Sequence, residues 1–232
     1  MSWVRQRTDF QIDEFQHIIA QKGMIVQWEK ATKCPCVQIA GSGQPDYNCP
    51  LCMGKGWTWY DPQQIQGIMT SNTEQYKYEH PGEFGTGTSN FTTISQNKLG
   101  YYDRLTNMDS LVRYSDLVKK GDHNGKDRLR FQPIEIGYCR DLTNEYVAKV
   151  DFDYDPNSFE INWIPTGHEP NSGVRYSVEY VTHPRWIVIE MPNVFRDTYV
   201  KRKKPFITFV ELPVKAMVRL EWFVFGIVDP PV

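Results

Sequence analysis

The sequence predicts a mainly β protein, built as an antiparallel sandwich or barrel. Several short segments alternate between apolar and polar residues and are separated by Pro, Gly and Asn, which is the usual pattern of strands joined by turns. Aromatic residues make up 14% of the 232-residue chain, and such residues favour pleated surfaces. Helical periodicity nearly disappears after residue 61, so the helices that a parallel α/β sheet needs between its strands are not found.

One short helix is predicted at the N-terminus. Thr8–Gln11 has the pattern of a capping box, and Gly23 supplies a stop signal. The apolar residues between them that recur at helical spacing are Ile12, Phe15, Ile18 and Ile19. A strand is predicted directly after the helix, at 24–28, and a second one at 57–60.

The clearest strand signal is a hairpin in the second half of the chain. Residues 147–154 alternate, turn at 155–158 and return at 159–164. The alternation predicts that Asp151 and Asp153 lie on the solvent-exposed face of this hairpin. The residues predicted for the opposite face are Val150, Phe152 and Tyr154.

Other segments are read in the same way. Residues 82–93 are rich in Gly and Thr and are predicted to form a loop that is mobile or ordered by a partner. Further strands are predicted at 173–181, 186–190, 206–210 and 214–225.

Four of the five cysteines fall in one short span, as Cys34-Pro-Cys36 and Cys49-Pro-Leu-Cys52. Paired thiols at each end of a short loop are typical of a tetrahedral zinc site, in which two tight turns face each other. We therefore predict one zinc ion per chain, held by Cys34, Cys36, Cys49 and Cys52. Because four thiolates leave no open position for water or substrate, this zinc is predicted to be structural.

Two other interpretations of these cysteines stay open from the residues alone. Disulfides are less favoured, because the chain shows no export signal and has only this one cluster. A redox pair at Cys49 and Cys52 would leave Cys34 and Cys36 unexplained, and the βαβ pattern around it is missing. The fifth cysteine, Cys139, is predicted to be a small apolar core residue on a strand.

The predicted organisation has three regions. Residues 1–27 form the N-terminal helix and the first strand, and residues 28–60 form a small zinc-ribbon-like insertion. Residues 61–232 form the β-rich domain. The insertion is entered and left by neighbouring strands, so it interrupts a larger fold.

Composition excludes several classes of protein. The formal net charge is -2, whereas proteins that bind duplex nucleic acid in bulk are usually strongly basic. The longest apolar run, 222–228, is far shorter than the ~20 residues of a membrane helix. We expect a soluble protein that folds in a reducing compartment.

No motif indicates catalysis, so we predict that the protein is not an enzyme and has no catalytic or cofactor-binding residues. Asp151, Asp153 and Asp155 alternate, but the Gly and Glu of an EF-hand loop are replaced by Pro156 and Asn162. The one basic run, 201–204, is interpreted as a solvated turn. Aromatic residues of the zinc module can stack on bases, but packing beneath a ribbon too small for its own core is favoured. These residues are Trp28, Tyr47, Trp57 and Trp59.

The order of motifs resembles the neck proteins of tailed bacteriophages, which are the head-closure or head–tail joining proteins. A short helix ends in Lys-Gly, and Val-x-Trp-Glu-Lys-Ala follows at 26–31. Next come Cys-Pro-Cys and Cys-Pro-x-Cys-x-Gly-x-Gly-Trp. The segment 173–188 is similar in character to phage virion components.

This resemblance implies a structural virion protein located at the head–tail junction and made in the cytoplasm of the bacterial host. It implies a β-rich subunit in a homo-oligomeric ring around the DNA channel, with a portal or adaptor protein and tail proteins as partners. DNA would pass through without sequence-specific binding, which the mildly acidic charge suits, and no membrane is involved.

Two alternatives accompany this interpretation. One is a structural component of the tail or baseplate instead of the neck. The other is an intracellular zinc-ribbon protein that binds nucleic acid through the zinc module and the basic run.

Overall fold

A computed structural model describes residues 12–39, 43–71, 87–191, 197–201 and 207–225. The chain divides into two compact units. The barrel unit comprises Met1–Lys33, Trp57–Asn107 and Arg185–Ile227, and the insert unit comprises Cys34–Gly56, Met108–Pro184 and Val228–Val232. Most of the insert unit is therefore supplied by two insertions into the chain of the barrel unit.

The described secondary structure is dominated by strands, numbered in chain order. The helices are α1 (Ile12–Lys22), α2 (Cys36–Ile39) and α3 (Glu221–Val224). The strands are β1 (Met24–Lys33), β2 (Trp57–Ser71), β3 (Thr88–Thr93), β4 (Arg104–Asn107), β5 (Val112–Lys119), β6 (Asp127–Arg128), β7 (Glu135–Arg140), β8 (Phe152–Tyr154), β9 (Glu160–Trp163), β10 (Arg175–Thr182), β11 (Arg185–Glu190), β12 (Asp197–Lys201), β13 (Ile207–Glu211) and β14 (Val214–Leu220). Within the described ranges, none of the helices combines the length and apolarity needed to cross a bilayer.

The barrel unit is a closed antiparallel barrel with the strand order β1-β2-β3-β14-β11-β4. Pairing of β1 with β4 closes it, so these strands have no free edge. The interior is filled by alternate apolar side chains from all six strands and the β3–β4 connection. The buried ones are Val26, Trp28, Ile65, Phe91, Leu99, Leu105, Val188, Ala216 and Val218.

Gly67 is required where β2 crosses the largest of these side chains. A Cβ atom at this position would overlap the aromatic ring of Phe91, which is completely buried. We expect Gly67→Ala to lower the free energy of unfolding by about 1–3 kcal/mol, because overpacking forces side chains and backbone to shift. Gly137→Ala is the control, because its Cβ would approach no atom closer than Glu179 Oε1 at 3.8 Å. Equal urea midpoints for the two variants would contradict this packing.

The insert unit contains two three-stranded antiparallel sheets, β5-β10-β7 and β6-β9-β8. Its largest fully buried side chains are Tyr176, Tyr180, Phe131 and Phe152. Two carboxylates, the buried Asp127 and the partly buried Asp116, hold the tyrosine hydroxyls. Asp116 Oδ2 accepts a hydrogen bond from Tyr180 at 2.7 Å, and Asp127 Oδ2 accepts one from Tyr176 at 2.6 Å.

The prediction of a mainly β, antiparallel fold with a short N-terminal helix is confirmed. Helix α1 ends at Lys22, where the N–H of Gly23 donates to Ile19 O at 2.8 Å. The capping box at 8–11 lies outside the described residues. The strands predicted at 24–28, 57–60, 173–181, 186–190 and 206–210 all coincide with observed strands.

Two predictions about local structure are wrong. Residues 88–93 belong to strand β3 and not to a loop, because they pair with β2 on one side and β14 on the other. Phe91 and Thr93 point into the barrel, and this packing overrides the loop-like composition. The strand predicted at 214–225 stops at Leu220, the last residue of β14 paired with β11, and 221–224 turn into α3.

The predicted hairpin is partly confirmed. β8 pairs with β9, but residues 147–151 form a turn in which Lys149 has a positive φ of 70°. Asp151 is buried instead of solvent-exposed, because its carboxylate accepts the N–H groups of Val147 at 2.8 Å and His168 at 2.9 Å. Val150 is exposed, so the predicted alternation holds only from Phe152 onward.

The Asp151 carboxylate makes folding sensitive to acid. The backbone N–H groups of Val147 and His168 hold its pKa below the ordinary value of 3.8. Because the folded-state pKa is the lower one, this stabilisation is complete above about pH 4 and is lost as the pH falls through the folded-state pKa. We expect wild-type stability in urea to fall as the pH is lowered from about 4 toward about 2, and to fall less in Asp151→Asn. Identical pH slopes for the two proteins would contradict this role.

The predicted boundaries differ from the observed units. The boundaries after residues 27 and 60 fall inside strands β1 and β2. Region 61–232 contributes to both units, since 108–184 groups with the cysteine segment and not with the barrel. The reason is that β4 and β11 are neighbours in the barrel, so the chain between them is excluded from it.

Candidate metal centre

The cysteine module, Cys34–Gly56, connects the paired strands β1 and β2. Lys33 and Trp57 are the last residues of this pairing, and Cys34 N–H donates to Gly56 O at 2.9 Å directly beyond it. The hairpin therefore brings the two ends of the module together. Helix α2 begins at Cys36, the second cysteine of the first pair, and a series of tight turns contains the second pair.

The structure brings all four predicted cysteines to one point. Their sulfur atoms all lie within 4.8 Å of one another. Cys34 Sγ is 3.7 Å from Cys49 Sγ, and Cys36 Sγ is 3.5 Å from Cys52 Sγ. A tetrahedral site with metal–sulfur bonds of about 2.3 Å has sulfur–sulfur edges of about 3.8 Å. The cluster can therefore hold a metal ion.

The disulfide interpretation does not fit this geometry. A disulfide needs a sulfur–sulfur distance of about 2.0 Å, and all five cysteines are free. Cys34, Cys49 and Cys52 are buried, and Cys36 is partly exposed. The sulfurs of the three buried cysteines therefore face the cluster and not the solvent.

Backbone N–H groups are directed at three of the sulfurs. Burial raises the pKa of Cys34, and the N–H of Cys36 opposes this shift. Burial likewise raises the pKa of Cys52, to about 12, against the N–H of Gly56. At Cys49 burial also acts to raise the pKa, but the N–H groups of Cys52 and Leu51 outweigh this effect and lower the pKa to about 7. Such donors orient and stabilise metal-bound thiolates.

Two glycines allow the backbone to turn around the second cysteine pair. Gly54 and Gly56 have φ values of 77° and 75°. These values lie in the left-handed region, which residues with a Cβ atom rarely adopt. Met53 N–H donates to Cys49 O, and Lys55 N–H donates to Cys52 O, each at 3.0 Å. The spacing Cys-x-x-Cys-x-Gly-x-Gly is therefore a backbone requirement of the turn.

The module packs on the turn between β5 and β6 within the insert unit. Tyr47 donates its hydroxyl to Asp122 Oδ2 at 2.8 Å. Its ring stacks on the imidazole of His123, with a centroid distance of 4.6 Å. Lys55 Nζ lies 5.8 Å from the ring centre of Phe131. The sequence shows no signal for these contacts, because Tyr47 and Asp122 are 75 residues apart.

The tryptophans at and beside the module are engaged in packing, but their partners are residues of the barrel unit and not, as predicted, of the ribbon. Trp28 is buried and donates its indole N–H to Asp103 Oδ2 at 2.7 Å. Trp57 stacks on Tyr102 with a centroid distance of 4.2 Å. Trp59 donates to Tyr102 O at 3.0 Å. These contacts lie within the barrel unit.

The other candidate groups do not form a site. Asp151 is buried in its turn, whereas Asp153 and Asp155 are exposed, and neither belongs to a metal-ligand cluster of the described residues. Cys139 lies on β7 and is buried, and this burial raises its pKa to about 12. The prediction that it is a core residue is confirmed. Residues 202–204 of the basic run lie outside the described residues.

Comparison with known proteins gives no assignment. No protein-family model matches the chain, and no curated protein matches its sequence.

Proposed function

We propose that Cys34, Cys36, Cys49 and Cys52 bind one structural Zn²⁺, and that the chain is a structural protein of a tailed-phage virion, a ring-forming subunit of the neck that joins head to tail. The observation that carries this proposal is the grouping of four thiols at tetrahedral spacing. These thiols lie in the cysteine module, whose motifs resemble those of phage neck proteins. The module interrupts the chain of a closed β barrel.

Zinc is the metal that this donor set favours. Thiolates select zinc, Cu(I) and iron–sulfur clusters over magnesium and calcium. Zn²⁺ has a filled d shell, so its d electrons do not disfavour tetrahedral coordination. Four thiolates complete the coordination, so the ion stabilises the fold and takes no part in catalysis. A segment as short as Cys34–Gly56 cannot bury a core of its own, and metal ligation supplies the missing folding energy.

Assembly into a ring is supported by the hairpin β12–β13. Among the described residues these two strands form a separate two-stranded sheet, inserted between barrel strands β11 and β14. A two-stranded hairpin on its own is marginally stable in water. A neighbouring subunit that packs along this hairpin would add contacts that stabilise it.

Sequence-specific nucleic-acid binding is less well supported. Trp57 and Trp59, which would have to stack on bases, contact Tyr102 instead. The net charge of -2 favours passage of DNA over its retention. These observations favour the virion protein over the intracellular zinc-ribbon protein that binds nucleic acid.

The test is electron microscopy of purified phage particles labelled with gold-conjugated antibody against this chain. We expect label at the junction between head and tail. Label at the tail tip would overturn the neck assignment in favour of a baseplate component. Particles without label, with the chain left in the host lysate, would overturn the virion assignment and favour the intracellular zinc-ribbon alternative. Preimmune antibody on the same particles is the control.

A further inference from the structure

We propose that Tyr47 is a positioning residue of the metal centre, and that it couples metal binding to the order of the turn 119–127. Tyr47 is not a ligand, and the turn lies far from the cysteines in sequence. In this inference, which rests on the metal site proposed above, the turn is part of the supporting structure of the ion. Metal loading in turn determines whether the module stays docked on the turn 119–127 of the same unit.

The metal-binding segment fixes the backbone of Tyr47 from both sides. Tyr47 precedes Cys49 by two residues, and Cys49 N–H donates to Asp46 O at 3.1 Å in a tight turn. Gly54, two residues after Cys52, faces it from the other side, since a Cβ on Gly54 would lie 3.5 Å from Tyr47 Cα. The position of the Tyr47 ring therefore depends on the turns that present Cys49 and Cys52.

The surface that receives Tyr47 is preorganised. Asp122 Oδ2 accepts the hydroxyl of Tyr47 at 2.8 Å, while Asp122 Oδ1 lies 3.6 Å from Lys119 Nζ. His123 forms a backbone bridge with Lys126, which fixes the backbone position from which its imidazole stacks on Tyr47.

Asp127 anchors the far side of the same turn. Its Oδ1 accepts the N–H of Gly121 at 2.6 Å. Its Oδ2 accepts hydrogen bonds from Trp163 and Tyr176, also at 2.6 Å. The turn 119–127 is thus held between the buried part of the insert unit and the cysteine module.

This arrangement makes metal affinity and docking reciprocal. Without metal, four thiols do not offset the conformational cost of ordering the module. With metal, the module presents Tyr47 in the orientation that Asp122 and His123 accept. By linkage, the free energy of the Tyr47 contacts adds to the apparent metal affinity. Residues that orient ligands typically change metal affinity 10–100-fold when they are mutated.

The experiment measures zinc affinity of the full chain by competition with a chromophoric chelator. We expect Tyr47→Ala to weaken zinc binding about 10–100-fold and Tyr47→Phe, which keeps the stacking on His123, to weaken it less. Tyr60→Ala is the matched control, because Tyr60 is an exposed tyrosine on β2. The Co²⁺ form of each variant reports whether four thiolates still bind. We expect the tetrahedral charge-transfer spectrum to be retained in Tyr47→Ala at saturating Co²⁺.

Amide hydrogen exchange of the wild type tests the other direction of the coupling. Removal of zinc by a chelator is expected to increase exchange in 119–127, and readdition to restore protection. A zinc affinity of Tyr47→Ala within about twofold of the wild-type value would overturn the coupling. Amide exchange in 119–127 that is the same with and without zinc would also overturn it. Wild-type protein that binds no zinc would overturn the metal site itself. Should Tyr47→Ala fail to fold, His123→Ala removes the stacking partner from the opposite side, and the same affinity criterion applies.

Discussion

Cys49→Ser is expected to abolish tight zinc binding and to unfold the cysteine module. Structural zinc contributes about 10–16 kcal/mol of binding free energy in zinc-finger peptides, and a hydroxyl cannot replace a thiolate on the ion. Cys49 Sγ also accepts two backbone N–H groups, those of Leu51 and Cys52, whereas Cys34 and Cys52 each accept one. Loss of this ligand therefore removes the thiolate that the backbone is best arranged to stabilise.

The measurement is metal content by mass spectrometry together with amide exchange of residues 43–56. We expect wild type to retain one zinc after dialysis and the variant to retain none, with full exchange in the module. Cys139→Ala is the control, because Cys139 is buried outside the cluster. It should keep its zinc and lose only about 1 kcal/mol of stability. Protected amides in metal-free Cys49→Ser would contradict a structural role for the ion.

Asp127→Asn is expected to lower the free energy of unfolding by about 3–5 kcal/mol, the cost of breaking a buried charged network. The Asp127 carboxylate is almost completely buried and accepts three hydrogen bonds, from Gly121 N–H, Trp163 Nε1 and Tyr176 Oη. An amide keeps one acceptor oxygen and turns its NH₂ group toward donors, so buried hydrogen bonds stay unmade.

Asp153→Asn is the matched control for this substitution. Asp153 is exposed and pairs with Lys149 on the surface, where an ion pair contributes about 0–1 kcal/mol. Urea unfolding followed by tryptophan fluorescence distinguishes the two variants, because Trp163 donates directly to Asp127. A loss below about 1 kcal/mol in Asp127→Asn would contradict the anchoring role of this carboxylate.

Local patterns predicted much of the fold and the whole cysteine cluster. The four cysteines were recognisable as a candidate metal site because two closely spaced thiol pairs have few physical uses, and the glycines after Cys52 agree with the turn observed there. Four of the six barrel strands, β1, β2, β11 and β14, were recognisable at least in part by alternation, because each has one face in a core. The hairpin of β8 and β9 was recognisable in the same way.

The arrangement of these elements was not predictable from local patterns. The module groups with residues 108–184 through contacts such as Tyr47 to Asp122, which no periodicity encodes. Buried aspartates such as Asp103 and Asp127 look like surface residues in the sequence, because their partners are backbone N–H groups and indole nitrogens that fold beside them. Strand β3 was not predicted because the Gly- and Thr-rich composition of 82–93 is typical of a loop. The strand is stabilised by its pairing with β2 on one side and β14 on the other.

The most direct test of the metal centre is X-ray absorption spectroscopy at the zinc edge of the purified full-length protein. We expect one zinc per chain, surrounded by four sulfur atoms at about 2.3 Å and by no nitrogen or oxygen. A first shell that contains nitrogen or oxygen, or a zinc content far below one per chain, would contradict the proposal that Cys34, Cys36, Cys49 and Cys52 enclose a structural ion.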